Sequence, residues 1–242
     1  MSRSKPAAVV LGARNLGGTI TRDLLGRGMR VATVARTQAD LDALALVGAV
    51  PIRGDAADPA RLDRPIAQAA AQIGPADVIV NAVSPDRPPN DGTGFGGGPI
   101  AAATTAGFDG WTTAVARQAF VFLGAGARAF RGRRGTLIQI LGGPARRANP
   151  ERGLFAAGCA AARALTHAAA QELRGEGVHV ALLIVDGIIA SPKTVQMARK
   201  MPVEALVRPE DVAAAVGYLA TQSRRGMSHE LVVTPAGDRW LP

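Results

Sequence analysis

The sequence predicts an α/β fold: one doubly wound, seven-stranded parallel sheet with helices on both faces. Three observations predict it. Short apolar runs alternate with longer amphipathic or alanine-rich segments, the order that β-α-β units require. The runs are nearly continuous in apolar residues, as strands covered on both faces must be. A glycine-rich turn, LGARNLGG, joins the first run to the first helical segment.

Taken in order, the predicted strands are Ala7–Leu11, Arg30–Val34, Ala49–Arg53, Val78–Val80, Thr136–Leu141, Val178–Val185 and Glu230–Val233. Each is short and apolar: AAVVL and VHVALLIV carry one polar side chain between them. Helices are expected between them over residues 17–27, 38–46, 59–73, 109–130, 152–174 and 209–221. One stretch breaks the rhythm. SPDRPPNDGTGFGGGPIAAATTAG, residues 84–107, is too rich in proline and glycine for a long regular element. A loop of that size inside a compact domain points to function or to disorder. Neither a repeat nor a linker divides the chain, so residues 1–242 are expected to form a single domain.

A chain of 242 residues, 48% hydrophobic and 19% charged, buries one sizeable core. No run reaches about 18 apolar residues, and MSRSKPAAVV leads almost directly into the first strand. A cytoplasmic protein without membrane attachment is expected. The net charge of +9 invites a nucleic-acid reading. Against it, all but three of the 28 basic residues are arginines spread along the chain, and RGRRG (131–135) has no interleaved aromatic residue for base stacking. No nucleic-acid partner is expected. The lone cysteine, Cys159, sits among alanines and reads as a small buried thiol. His167, His179 and His229 have no carboxylate or cysteine at ligand spacing, so no metal site is expected.

The glycine turn has the context that matters, a strand before it and a helix after it. There the backbone can approach a pyrophosphate and the helix N-terminus offers free N–H groups. The second strand ends in VATVAR. An acidic residue at its boundary would accept hydrogen bonds from ribose hydroxyls, whereas an arginine holds a 2′-phosphate. Arg36 stands there and Arg14 lies in the turn, which favours NADP(H) over NAD(H).

With RGDAAD, DVIVNAVS, FDGWTTAV, RPEDVAAAVGYLA and HELVVTPAG following in order, the chain resembles the short-chain dehydrogenase/reductase family from about residue 7 to 238. The resemblance implies a Rossmann fold and a dinucleotide site built from Gly12, Arg14, Asn15, Leu16, Gly17, Arg36, Asp55, Ala56, Asn81 and Ala82. The turn departs from the family's TGxxxGxG. Keeping the helix in register makes Gly12 and Gly17 the outer glycines and deletes the middle one; an ungapped alignment puts Leu16 in the middle place and Gly18 last. Either way one phosphate-facing glycine is missing. The cleft is therefore expected to hold NADP(H), with no dinucleotide at all as the alternative.

The family's catalytic tyrosine, lysine, serine and asparagine fall at Phe155, Cys159, Gly142 and Gln118, the last shifting to Arg117 when counted from Val121-Phe122. The Pro-Gly after the sixth strand falls at Val185-Asp186, or with a gap at Asp186-Gly187. Phenylalanine has no proton to give, and general acid catalysis needs one within hydrogen-bond reach. Tyr218, the chain's only tyrosine, is expected to be a packing residue. Ser84, Arg146, Arg147, Glu151, Arg152 and Asp186 remain as polar groups that the resemblance places around the cleft. The reading that follows is a divergent oxidoreductase acting on a small molecule with a nonstandard acid. The alternatives are a catalytically silent partner subunit or a non-redox enzyme, such as a cyclase, isomerase or lyase. Residues 84–107 and 188–201 would shape the pocket by analogy. The long helices at 109–130 and 152–174 would form a homodimer or homotetramer interface.

Overall fold

The computed structural model describes residues 5–237 except 59, 61, 87, 89–91, 93 and 193, and leaves the side chain of Met197 aside. Strands β1 (Ala7–Leu11), β2 (Arg30–Ala35), β3 (Val50–Arg53), β4 (Val78–Asn81), β5 (Gly135–Gly142), β6 (Val178–Val185) and β9 (Glu230–Val233) form one sheet in the order β3-β2-β1-β4-β5-β6-β9. Every pairing is parallel. The chain winds outward from β1 to β3, crosses back to β4 and winds outward again. Beyond the carboxyl ends of β1 and β4 it leaves the crevice in which such sheets bind ligands.

Both faces are covered, which explains the unbroken apolar strands. Ala7, Val9 and Leu11 pack with Phe122, Phe130 and Leu137 beneath α3 (Asp63–Ile73), α4 (Thr105–Ala129) and α5 (Gly153–Arg174). Ala8 and Val10 face the other way, onto Ile20 and Leu24 of α1 (Leu16–Gly26) and Val212, Val216 and Leu219 of α7 (Pro209–Ala220). The period of two along a strand sends alternate residues to opposite layers. Helix α2 (Gln38–Ala45) buries Leu41 and Leu44 in a small cluster of its own.

The predicted strands appear, with bounds that shift by at most one residue. Three differences stand beside them. Helix α4 starts at Thr105, inside the stretch expected to be irregular, because the Thr104 hydroxyl accepts a hydrogen bond from Gly107 N at 3.0 Å and caps the helix. Helix α3 starts at Asp63 rather than at 59, and residues 59 and 61 lie outside the described set. Between β6 and α7 the chain adds a short parallel pair, β7 (Ile188–Ile189) with β8 (Leu206–Val207), and one helical turn, α6 (Val195–Ala198). Among the described residues no helix is long and apolar enough to cross a membrane.

The small residues of α4 and α5 act within the chain. A Cβ at Gly158 would lie 3.0 Å from the Thr112 carbonyl oxygen and from Val115 Cβ, so glycine lets α5 approach α4. Gly126 does the same for α4 against Leu137 of β5. Tyr218 corrects an expectation: it projects from α7 with 53% of its surface exposed and is not a core residue. That helix packs across the sheet from α5.

Candidate functional site

At the switch point the turn after β1 and the end of β4 are in backbone contact. Gly12 adopts φ +101°, and a Cβ there would stand 3.1 Å from the Ala82 carbonyl oxygen. Both features demand glycine. Helix α1 begins at Leu16 after Asn15, which has φ 47°. A Cβ on Gly17 would fall 2.2 Å from Gly12 O, and one on Gly18 2.7 Å from Ala13 O. The turn therefore needs Gly12, Gly17 and Gly18 for its own backbone. Leu16 is half-buried against the α1/α7 core. The first turn of α1 directs N–H groups and the positive end of its dipole at the crevice.

The predicted cofactor residues converge here. Arg36, just past β2, lies 3.7 Å from Asp55 and 3.9 Å from Asp86, and Arg14 lies 3.8 Å from Asp40. These are long, exposed pairs, worth little in water, and an anion can displace their carboxylates. Asp55 accepts the Ala57 N–H at 2.9 Å, and Ala56 is buried behind it.

Asn81 behaves differently. Its amide makes a closed pair with Gln118: Asn81 Nδ2 donates to Gln118 Oε1 at 2.9 Å and Gln118 Nε2 donates to Asn81 Oδ1 at 2.8 Å. Asn81 Nδ2 also donates to Gln139 Oε1 at 2.8 Å, and Gln139 Nε2 to Ile140 O at 2.9 Å. All three side chains are buried. Gln118, though buried and held by Asn81, still lines an open cavity of about 440 Å³ together with Arg117, Asp86, Asp109 and Thr113.

Above β5 the inert residues are packed. Cys159 is buried with Val115, Ala119, Leu141 and Leu182, and this desolvation pushes its thiol up to about 12. Phe155 meets Phe95 with ring centroids 5.0 Å apart and Trp111 at 5.9 Å; Phe95 and Trp111 lie 5.0 Å apart. These three rings, with Val115, Pro85, Ser84 and Asp86, line a cavity of about 120 Å³.

Gly142 has room for a side chain, since a Cβ would meet nothing nearer than Pro144 Cδ at 3.4 Å. Gly143 has none, since its Cβ would fall 2.0 Å from Asp186 Oδ1. Asp186 is 4% exposed and pairs with Arg147 at 3.2 Å. Asp186 Oδ2, Arg147 Nη1 and Thr234 Oγ1 are buried and meet no protein partner among the described residues. A Cβ on Gly187 would fall 2.7 Å from Pro235 Cδ, so the turn after β6 has no room for a side chain there. Glu151 sits at φ 64° on the surface, and Arg152 stacks over Phe95 at 5.6 Å.

Sequence reasoning missed Phe95. Its signal was present: a single aromatic residue in GFGGG, where nothing else could anchor the loop.

Residues 10–237 match the family model described as enoyl-(acyl carrier protein) reductase, and the chain belongs to the short-chain dehydrogenase/reductase superfamily of oxidoreductases. A metagenomic short-chain oxidoreductase solved with NADP is 25% identical, with a TM-score of 0.71 over 96% of this chain and 97% of that one. An NADPH-bound short-chain oxidoreductase from Pseudomonas aeruginosa PAO1 containing an atypical catalytic center is 20% identical, with a TM-score of 0.81 over 98% of each chain. The alcohol dehydrogenase of the archaeon Thermococcus sibiricus complexed with 5-hydroxy-NADP is 20% identical, with a TM-score of 0.79 over 99% and 100%. No curated protein matches the sequence.

Proposed function

We propose that this protein is an NADP(H)-dependent oxidoreductase that reduces a small molecule without the family's tyrosine–lysine proton donor. The observation that carries the reading is Arg36, at the end of β2 beside the Gly12 turn, whose ion pairs among the described residues are with exposed carboxylates at 3.7 Å and 3.9 Å. The structurally similar proteins that hold NADP or NADPH support it. The turn from Gly12 to Gly17, Arg14 and Asn15 included, would hold the pyrophosphate, Arg36 and Arg14 the 2′-phosphate, and Asp55 and Ala56 the adenine. Asn81, whose amide is engaged by Gln118 and Gln139, would act with Ala82 through the backbone of the β4 end. When bound, the dinucleotide supplies a hydride.

The chain's own contribution at the reacting end differs from the family pattern. Phe155 and Cys159 have no proton to move at neutral pH, Gly142 presents no hydroxyl, and Gln118 is locked to Asn81. These residues orient and desolvate, so the site suits a substrate that needs no strong acid. Exposed Phe108 and Phe120 on α4 suit a homodimer or homotetramer contact.

Titration with NADPH and NADH, read by calorimetry, tests the reading. Binding of NADPH at least about tenfold tighter than NADH is expected, with Arg36→Asp reversing the order, because a hydrogen bond to a charged group contributes roughly 1.5–3 kcal/mol. Absence of binding to either dinucleotide overturns the reading in favour of a partner subunit.

A further inference from the structure

The cavity under Phe95 is built by a strap that belongs to the long connection between β4 and α4. Gly96, Gly97 and Gly98 have φ of +95°, +97° and +70°, and all three are buried. A Cβ at Gly96 would stand 2.9 Å from Arg152 Cα, and one at Gly97 2.4 Å from Leu154 Cδ1. Phe155 N donates to Gly96 O at 3.4 Å. Glycines at these places let the loop lie flat on the first turn of α5 and set the Phe95 ring against Trp111 and Phe155. The result is a three-ring box with interplanar angles of 73°, 59° and 79°.

Size, charge and chemistry define what the box takes. A dry cavity of roughly 150 Å³ lined by aliphatic and aromatic groups holds benzene, so about 120 Å³ accepts one small ring or the end of a larger molecule. Among the described residues of its lining Asp86 is the only ionisable one. Aromatic faces attract cations, and Arg152 already lies 5.6 Å over the Phe95 ring. Phe155 of its wall has no proton to give, and Cys159, one turn further along α5, is buried in the α4/α5 contact.

We propose that the box selects a cationic C=N group, an iminium carried on or beside a small ring, as the substrate of the oxidoreductase. This rests on the NADP(H) reading above. In the step, a hydride and its electron pair pass from the reduced dinucleotide to the iminium carbon. The C=N π pair moves to nitrogen, which becomes a neutral amine, while the dinucleotide is oxidised. No proton is consumed, so the absence of a tyrosine costs nothing. The aromatic rings stabilise the positive charge and Asp86 opposes it at the mouth.

The test uses two probes of one shape, N-methylpyridinium and toluene, followed by Trp111 fluorescence and calorimetry on the intact chain without dinucleotide. Binding of the cation about tenfold tighter than toluene is expected. Phe95→Ala should weaken it about tenfold and Asp86→Asn about threefold, with Phe95→Leu as the variant that keeps the strap's bulk. Equal or tighter binding of toluene, or binding of neither probe, overturns the proposal. Reduction of N-methyl-3,4-dihydroisoquinolinium but not acetophenone by NADPH completes it. Cation binding without that reduction, in protein shown to hold NADPH, overturns the substrate assignment. Cation binding by protein that holds no NADPH leaves the box standing and removes the cofactor reading instead.

Discussion

Gly142 and Gly143 are neighbours at the end of β5, and the structure predicts opposite responses to the same added methyl group. At Gly142 the backbone is ordinary strand, φ −89°, and the new Cβ would touch only Pro144 Cδ at 3.4 Å. Gly142→Ala should cost less than about 0.5 kcal/mol, since surface changes away from special features stay within that range. At Gly143 the Cβ would fall 2.0 Å from Asp186 Oδ1, so the carboxylate must leave its place. That breaks a contact with Arg147 at 3.2 Å in which Asp186 is 5% and Arg147 23% exposed. Disrupting a buried pair by removing one partner costs about 3–5 kcal/mol; with Arg147 partly wetted, about 2–3 kcal/mol is the expected loss. For a chain of this length each kcal/mol moves the midpoint by about 2–4 °C, so Gly143→Ala should melt roughly 4–12 °C lower. Thermal unfolding followed by circular dichroism measures both variants. The partner experiment is Asp186→Ala with Gly143→Ala: in that background the glycine change should lose most of its effect, because contacting residues are not additive. A Gly143→Ala midpoint within about 2 °C of the parent, or strict additivity in the double variant, would refute the assigned contact.

Two further predictions concern titratable groups. The Cys159 thiol, raised to about 12 by burial, should hold almost no thiolate at pH 8. An aromatic disulfide reagent should label it only after unfolding, and rapid labelling of the native protein would show that the α4/α5 contact opens. His179 at the start of β6 is kept neutral chiefly by burial, and secondarily by the neighbouring His229, which together outweigh the hydrogen bond to Ser228 O. Its folded pKa lies below the unfolded value near 6.5. The unfolded chain therefore binds the proton first, and this stability is complete above that value and declines as pH falls below it. Urea midpoints from pH 7.5 down to 5 should drop less for His179→Gln than for the parent; parallel curves would remove His179 from the account.

The sheet was legible because each strand is apolar on both faces, a property that depends only on local sequence. Leu11 and Val10 face different layers, yet both had to be buried, and the chain shows it. The Gly12 turn was legible for the same reason, strand before and helix after. The need for both Gly17 and Gly18 was not, because it comes from the backbone approach of Gly12 O to Gly17 and of Ala13 O to Gly18. The start of α4 was missed because Gly107 reads as a loop residue, whereas its N–H is the one Thr104 caps. Tyr218 was misplaced because an aromatic residue on an apolar helix looks buried until the helix is oriented. The box escaped notice because Phe95, Trp111 and Phe155 come from a loop and two helices, and no periodicity in one segment reports a contact made by three.

The polar groups at the strand ends also limit the kind of chemistry the cleft performs. Asn81 spends both of its N–H donors on Gln118 and Gln139, and Gln118 donates back to it, so the three buried amides hold one another in place. Cys159 is sealed, and Phe155 is part of an apolar wall. What remains is Asp186 with Arg147, and Thr234 beyond the register pair Val185 and Val233. Their Oδ2, Nη1 and Oγ1 atoms are buried and meet no hydrogen-bond partner among the described residues. A guanidinium donates hydrogen bonds but does not surrender its proton at any working pH. Such a group stabilises charge and fixes geometry; it does not act as an acid. On the proposed reading, a cleft with fixed charges and aromatic faces in place of a tyrosine would favour reactions that discharge a cation over those that protonate an oxygen, so the replacements that would remove ketone reduction would leave iminium reduction open.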